Sequence, residues 1–177
     1  MFLGSHTNLQ SVSITIVGAR ITCEFFKKAM QGISVLPHLR DLKLDFRSSD
    51  VGDQCHRGLS LLRSAKRLER LQICLGHPSE RLLSAIGAIQ HSPSLTDFAL
   101  IIDQRAQMFN LQHARHLAAF TNTHCKVQIS IQNTKLPHVA SLVHILTSGF
   151  LGVPAVCVRL TDHATEENDI VISRGTI

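Results

Sequence analysis

Residues 39–46, which read LRDLKLDF, decide the fold of this chain. An apolar anchor, Leu39, is followed by apolar residues at alternate positions, Leu42, Leu44 and Phe46. Alternation with a period of two is typical of a β-strand that buries one face. The stretch is therefore predicted to be a strand whose charged residues lie on the opposite, exposed face.

The same spacing recurs along the chain at nearly equal intervals of roughly 30 residues. The anchors are Leu9, Leu39, Leu68, Leu95, His124 and Val153. The alternating residues that follow them are Val12/Ile14/Ile16, Leu42/Leu44/Phe46, Leu71/Ile73/Leu75, Phe98/Leu100/Ile102, Val127/Ile129/Ile131 and Val156/Val158/Leu160. Between these strands the apolar residues recur at helical spacing, over residues 21–33, 51–65, 79–90, 111–120 and 136–146. Each unit is predicted to contain one strand and one helix.

The clearest copy of the unit, residues 39–55, reads LRDLKLDFRSSDVGDQC. It resembles a repeat of the leucine-rich repeat proteins of the ribonuclease-inhibitor-like class, and its Val51-Gly52-Asp53 is similar to the turn that opens the helix in many such repeats. The resemblance covers residues 9–160. It implies an α/β solenoid, a horseshoe of about six strand–helix units with a parallel sheet on the concave face and helices on the convex face.

The resemblance also implies one array over residues 1–177, with repeats starting near residues 9, 39, 68, 95, 124 and 153. Residues 161–177 are expected to form a partial C-terminal unit with a last helix and strand, and Glu166, Glu167 and Asp169 are expected near the helix start. Neither end shows an obvious cap, so we expect a fragment of a longer array or an end buried against a partner. Uncapped terminal repeats would also allow end-to-end association.

One position departs from the family pattern. The leucine-rich repeat signature has Asn or Cys eight residues after each anchor. This chain has other residues there, namely Val17, Arg47, Gly76, Asp103, Gln132 and Thr161. The turns after the strands are therefore expected to be less regular than in the family.

Composition limits the classes of function. The 177 residues are 44% hydrophobic and 18% charged, which is typical of a globular chain. The net charge is +5, but the basic residues are dispersed and 13 acidic residues lie among them. Both Trp and Tyr are absent. Because those two residues supply most base-stacking platforms, the composition argues against nucleic-acid binding.

The sequence also predicts a location inside the cell, in the cytoplasm or nucleus. It shows no signal peptide and no apolar run long enough to span a membrane. The five cysteines form no C-x-x-C pair, and their odd number fits a reducing compartment better than a disulfide framework.

The exposed face of the predicted sheet is the candidate partner site. Two residues after successive anchors the charges alternate in sign, as Asp41, Arg70, Asp97 and Lys126. One interpretation is that these charges only satisfy one another across neighbouring strands. The other is a partner site, whose candidate residues are Asp41, Lys43, Asp45, Arg70, Gln72, Asp97 and Lys126.

Other constellations favour structural roles. His113 and His116 share a helix face, but no third metal ligand lies nearby in the sequence. Five cations lie close together in the sequence, namely Arg57, Arg63, Lys66, Arg67 and Arg70. Most of them fall at the end of the second predicted helix, where positive charge complements the helix dipole. Cys74 and Cys157 fall on the exposed sheet face without an adjacent activating His. No catalytic, metal or cofactor site is predicted.

The leading functional prediction is a non-catalytic scaffold that binds another protein through the concave face or the loops at the strand ends. The resemblance leaves two alternatives open. The array is similar, at the level of fold, to the Ran GTPase-activating proteins, which implies regulation of a GTPase. It also resembles the substrate-recognition arm of a larger ubiquitin-ligase subunit or immune-type receptor.

Overall fold

The computed structural model describes residues 8–18, 20–89, 92–103, 109–118, 124–134, 139–150, 153–162 and 169–175. It is a mixed α/β structure built on a seven-stranded sheet. Six strands are parallel and each pairs with the next: β1 (Ser11–Thr15), β3 (Asp41–Phe46), β5 (Arg70–Leu75), β6 (Asp97–Asp103), β7 (Lys126–Thr134) and β8 (Ala155–Asp162). The prediction of an α/β fold with a parallel sheet is confirmed.

The strand register places the predicted apolar residues side by side. Leu44 pairs with Ile14 on one side and with Ile73 on the other, and the row continues through Leu100 and Ile129. Every member from Leu44 to Ile129 is fully buried in one continuous core. A shift of one residue would turn this row to the opposite face, so burial fixes the register.

Helices follow the strands and cover the buried face of the sheet. They are α1 (Cys23–Ser34), α2 (His56–Leu59), α3 (Glu80–Ile89), α4 (Leu111–Ala118) and α5 (Val139–Gly149). Each helix contacts the next along the chain. The second predicted helix is a composite, since short 3₁₀ turns at Asp53–Cys55 and Ser60–Ser64 flank α2. The short strands β2 (Arg20–Ile21) and β4 (Asp50–Val51), which were not predicted, pair in parallel ahead of the first two helices.

The fifth anchor differs from the prediction. His124 is exposed, whereas the next residue, Cys125, is fully buried in the core. An imidazole is costly to bury without hydrogen-bond partners, while a thiol behaves as a small hydrophobic group. The chain therefore buries Cys125 in place of the predicted anchor.

The C-terminal unit contains a strand, as predicted, but Asp169 belongs to that strand and not to a helix start. Strand β9 (Asp169–Arg174) runs antiparallel to β8, so Asp169 lies in a strand. Glu166 and Glu167 lie outside the described residues. Only residues 163–168 connect the two strands, and a parallel crossover needs a dozen or more residues, which explains the antiparallel return.

The two edges of the sheet differ in the strand that forms them: antiparallel β9 at one edge and parallel β1 at the other. Strand β9 covers β8 at one edge, whereas at the other edge β1 has a strand neighbour on one side only among the described residues. As a result Val12, Ile14 and Ile16 are only half-buried. No helix in the described part of the chain has the length and apolar character needed to cross a membrane.

Candidate partner-binding groove

The face of the sheet that carries no helices forms a groove of about 570 Å³. It crosses the parallel strands near their amino ends, from Ser11 on β1 to Ala155 on β8. Two rows of outward-facing residues form its floor. The first row is Ser11, Asp41, Arg70, Asp97, Lys126 and Ala155, and the second is Ser13, Lys43, Gln72, Ala99 and Gln128.

Six of the seven predicted partner-site residues line this groove. They are Asp41, Lys43, Arg70, Gln72, Asp97 and Lys126. Strand pairing brings them together because residues at equal distances after each anchor stand in register. The structure therefore gathers into one concave surface residues that are widely separated in the sequence.

The predicted alternation of charge produces one well-defined ion pair. Arg70 binds Asp41 with two parallel hydrogen bonds, one from Nε to Oδ1 and one from Nη2 to Oδ2, the latter at 2.7 Å. The Arg70 hydrogen bond holds the pKa of the Asp41 carboxyl below its ordinary value. This pair satisfies its own charges, as the first interpretation of the exposed face expects.

The rest of the charged row is not paired in this way. Asp97 accepts a hydrogen bond of 2.8 Å from the Thr96 hydroxyl and stands between Arg70 and Lys126 in the register. Within the described residues, neither Lys126 nor Lys43 has a carboxylate within 4.0 Å of its ammonium group. Both lysines are exposed. The groove therefore contains two cations whose charge no single acid neutralises.

Asp45, the seventh predicted residue, does not line the groove. Its exposed fraction is 8%, and Arg47 holds its carboxylate through Nε at 3.1 Å, Nη2 at 2.7 Å and the backbone N–H at 3.2 Å. Arg47, eight residues after the Leu39 anchor, folds back over Asp45, which alternation alone could not predict. The prediction that Asp45 is exposed on the sheet face is therefore wrong.

The Asp45–Arg47 pair makes a pH-dependent contribution to stability. The hydrogen bond from Arg47 lowers the pKa of Asp45 below its ordinary value of 3.8. Since the unfolded chain then binds the proton more readily, the stabilisation is present above pH 3.8 and is lost as the pH falls through the folded-state pKa. We expect Asp45→Asn to destabilise the protein at pH 7, with a deficit that shrinks below pH 3.8.

Urea denaturation of both proteins between pH 7 and pH 2.5 measures this difference. Asp50→Asn serves as the control, since Asp50 is exposed and its contact with Arg20 is 3.7 Å. A deficit for Asp45→Asn that stayed constant through this range would contradict the role given to the ionised carboxylate.

Cys74 was also predicted on the exposed face, and the structure corrects this. It is 1% exposed, and the Gln72 side-chain amide donates to its sulfur at 3.4 Å. Burial raises the pKa of the Cys74 thiol. Cys157, which shares the predicted face, is half-buried. Neither the burial nor the raised pKa of Cys74 suits a nucleophile, because the thiolate is the reactive form.

The two histidines on α4, His113 and His116, contact neighbouring side chains of the helical layer. The ring of His113 packs against Phe109 with a centroid distance of 5.4 Å, and burial lowers the pKa of His113. The His116 Nε2 atom lies 4.0 Å from a carboxylate oxygen of Glu80. The described residues contain no group of three or more side chains arranged to hold a metal ion.

The predicted basic cluster is divided by the fold. Arg70 lies in the groove, whereas Arg57 and Arg63 are exposed on the helical layer. Arg67 contacts the His38 ring, with 3.0 Å between Nη1 and Nδ1. The fold therefore places Arg70 in the groove, apart from Arg57 and Arg63 on the helical layer.

The partner site predicted from the sequence left out three polar residues of the groove, Ser11, Ser13 and Gln128, although the repeat spacing puts them on the exposed sheet face. The predicted site was centred on charged positions, and Gln72 was its one uncharged member. The places of the three omitted residues, two and four residues after the anchors, are the available signal. With the sheet register known, every residue two or four positions after an anchor is a candidate for the lining of the groove.

No protein family, curated protein or solved structure matches the chain.

Proposed function

We propose that this chain is a leucine-rich-repeat solenoid that acts as a non-catalytic scaffold and binds another protein in the groove. The observation that carries the proposal is the 570 Å³ groove itself, lined by six residues that the repeat spacing singled out. Support for the repeat architecture comes from the parallel strands, which follow one another in chain order with matching registers. The successive contacts between helices also support it.

A binding role agrees with the composition of the groove floor. Its residues are mostly small or polar, and the side chains of Ser13 and Gln128 offer both donors and acceptors. Such groups can recognise the backbone of a polypeptide, which presents an alternating series of N–H and C=O groups. The partner we propose is therefore an extended segment of another protein.

A non-catalytic role agrees with the chemistry of the buried thiols. Burial raises the pKa of Cys55 and of Cys125 to about 12, so both remain protonated at neutral pH. The cysteines are free, which supports our proposal of an intracellular location. The half-buried edge of β1 is the place at which end-to-end association would occur.

Selection of phage-displayed random peptides against the protein tests the proposed site. We expect peptides that bind the wild type to lose affinity ~10-fold or more when Lys43, Gln72 and Gln128 are all replaced by alanine, because each lost polar contact contributes roughly 0.5–1.5 kcal/mol. The matched control replaces exposed helical residues, Lys27 and Arg63, with alanine and should leave affinity unchanged.

Circular dichroism should be the same for all three proteins, since none of the replaced residues belongs to the core. Equal affinity of the selected peptides for the wild type and the groove variant would remove the groove as the binding site.

A further inference from the structure

We infer that the groove selects an acidic partner, specifically an extended segment with two carboxylates four residues apart. The inference rests on the proposed function and names the chemistry of the partner for that same groove. It follows from which charges in the groove are already satisfied and which are not.

The acids of the groove are engaged within the protein. Both carboxylate oxygens of Asp41 accept hydrogen bonds from Arg70. The Asp97 carboxylate accepts from Thr96 and has a cationic residue on each neighbouring strand, Arg70 and Lys126. A basic partner would have to compete with these contacts.

The two lysines are differently placed. Lys43 stands between Ser13 and Gln72 in the register, so both of its strand neighbours are uncharged. Two acids on its own strand, Asp41 and Asp45, each lie two residues from Lys43. Both are already held by an arginine through both carboxylate oxygens. Lys43 therefore presents an ammonium group that no residue in the described part of the chain neutralises by direct contact.

Lys126 marks the other end of the charged part of the groove. Its strand neighbours are Asp97 and the uncharged Ala155, and it is exposed. With Arg70 the groove holds three cations against the two acids Asp41 and Asp97. One net positive charge remains, and it lies at the side of the two lysines because Arg70 is paired with Asp41. This charge is complementary to an acidic segment.

The spacing of the lysines sets the spacing of the acids. Lys43 and Lys126 are three strands apart and two residues apart along the register, which places their Cα atoms roughly 16 Å from each other. In an extended peptide, residues four apart point to the same side at a separation of roughly 13 Å. The flexible lysine side chains span the remaining difference.

The residues between the lysines suit the backbone of such a segment. Gln72 uses its amide nitrogen on Cys74, which leaves its carbonyl oxygen to accept from a peptide N–H. Gln128 lies in the same row, two strands further on, and is exposed. Ala99 between them is small enough to let a backbone approach the floor.

Fluorescence anisotropy with three labelled peptides tests the inference. The probe is Gly-Ser-Glu-Ser-Gly-Ser-Glu-Ser, and the matched peptides carry Gln or Lys in place of both Glu residues. We expect the Glu peptide to bind the wild-type protein at least ~10-fold more tightly than the Gln peptide, and the Lys peptide to bind most weakly. The preference should weaken as salt is raised, since the charges are exposed.

Charge reversal provides the sharper measurement. Lys43→Glu combined with Lys126→Glu should invert the order, so that the Lys peptide binds most tightly. The control, Lys27→Glu combined with Arg63→Glu, makes the same change of net charge on the helical layer and should preserve the wild-type order. An equal loss of Glu-peptide binding in the control would overturn the inference, because overall charge would then explain the preference.

The outcomes separate the inference from the function on which it rests. If Glu and Gln peptides bind equally, or the Glu peptide does not bind, while phage-selected peptides still depend on the groove, the acidic preference is wrong and the groove remains a binding site. If neither set depends on the groove residues, both the inference and the proposed function are wrong.

Discussion

Replacing Leu44 with alanine is expected to lower the free energy of unfolding by about 3 kcal/mol. Leu44 is fully buried, and it lies between Ile14 and Ile73 in the middle of the apolar row. Truncation removes the transfer free energy of the lost carbon atoms and leaves a cavity that the rigid sheet closes only in part. Equilibrium denaturation in urea measures the loss.

The adjacent Lys43→Ala change is the matched control. Lys43 is exposed on the opposite face, so its replacement should alter stability by no more than about 0.5 kcal/mol. The contrast between neighbours tests the register directly, because a slip of one residue exchanges the two faces. Similar losses at the two positions would show that this register is wrong.

Replacing Gly149 with alanine is expected to cost about 3 kcal/mol, at the upper end of the usual range for overpacking. Gly149 is the last residue of α5, and an added Cβ would overlap the Cβ and the carbonyl oxygen of Ala118, the last residue of α4. A backbone carbonyl cannot move aside as a flexible side chain can. The two helix ends would have to separate, and contacts between α4 and α5 would be lost.

Gly32→Ala is the control for this prediction. Gly32 lies inside α1 with nothing within 4 Å of the added Cβ, so the change should be neutral or stabilise the protein by up to about 1 kcal/mol through helix propensity. Thermal or urea denaturation should show a clear loss of stability for Gly149→Ala and no loss for Gly32→Ala. A Gly149→Ala protein as stable as Gly32→Ala would contradict the close approach of α4 and α5.

Much of the strand framework could be predicted because it depends on local pattern. Each strand buries one face, so alternation of apolar residues marks both its position and its orientation. The equal spacing of the anchors then placed Asp41 beside Arg70, and the structure has them paired. The connections to the helices were less predictable, as the 3₁₀ turns around α2 show.

The candidate site could be predicted only as far as it follows the same pattern. Asp45 and Lys43 look equivalent in the sequence, since both alternate with buried residues. In the structure Lys43 is exposed in the groove, whereas Arg47 covers Asp45 and satisfies its carboxylate. The path of a long side chain such as Arg47 depends on its neighbours in space, and these are set by residues distant in the sequence.

The sequence by itself determined most of the residues of each strand that face the core, because the period-two pattern puts the apolar side chains on one face and the burial of apolar area is favourable. The tertiary structure decided the rest. It buried Cys125 in place of His124, turned β9 antiparallel along β8, and left Lys43 and Lys126 without ion pairs in the described part of the groove. The first follows from the cost of burying an imidazole, and the second follows from the short connection between β8 and β9. The position of the lysines depends on strands that are distant in the sequence and become neighbours only when the sheet forms.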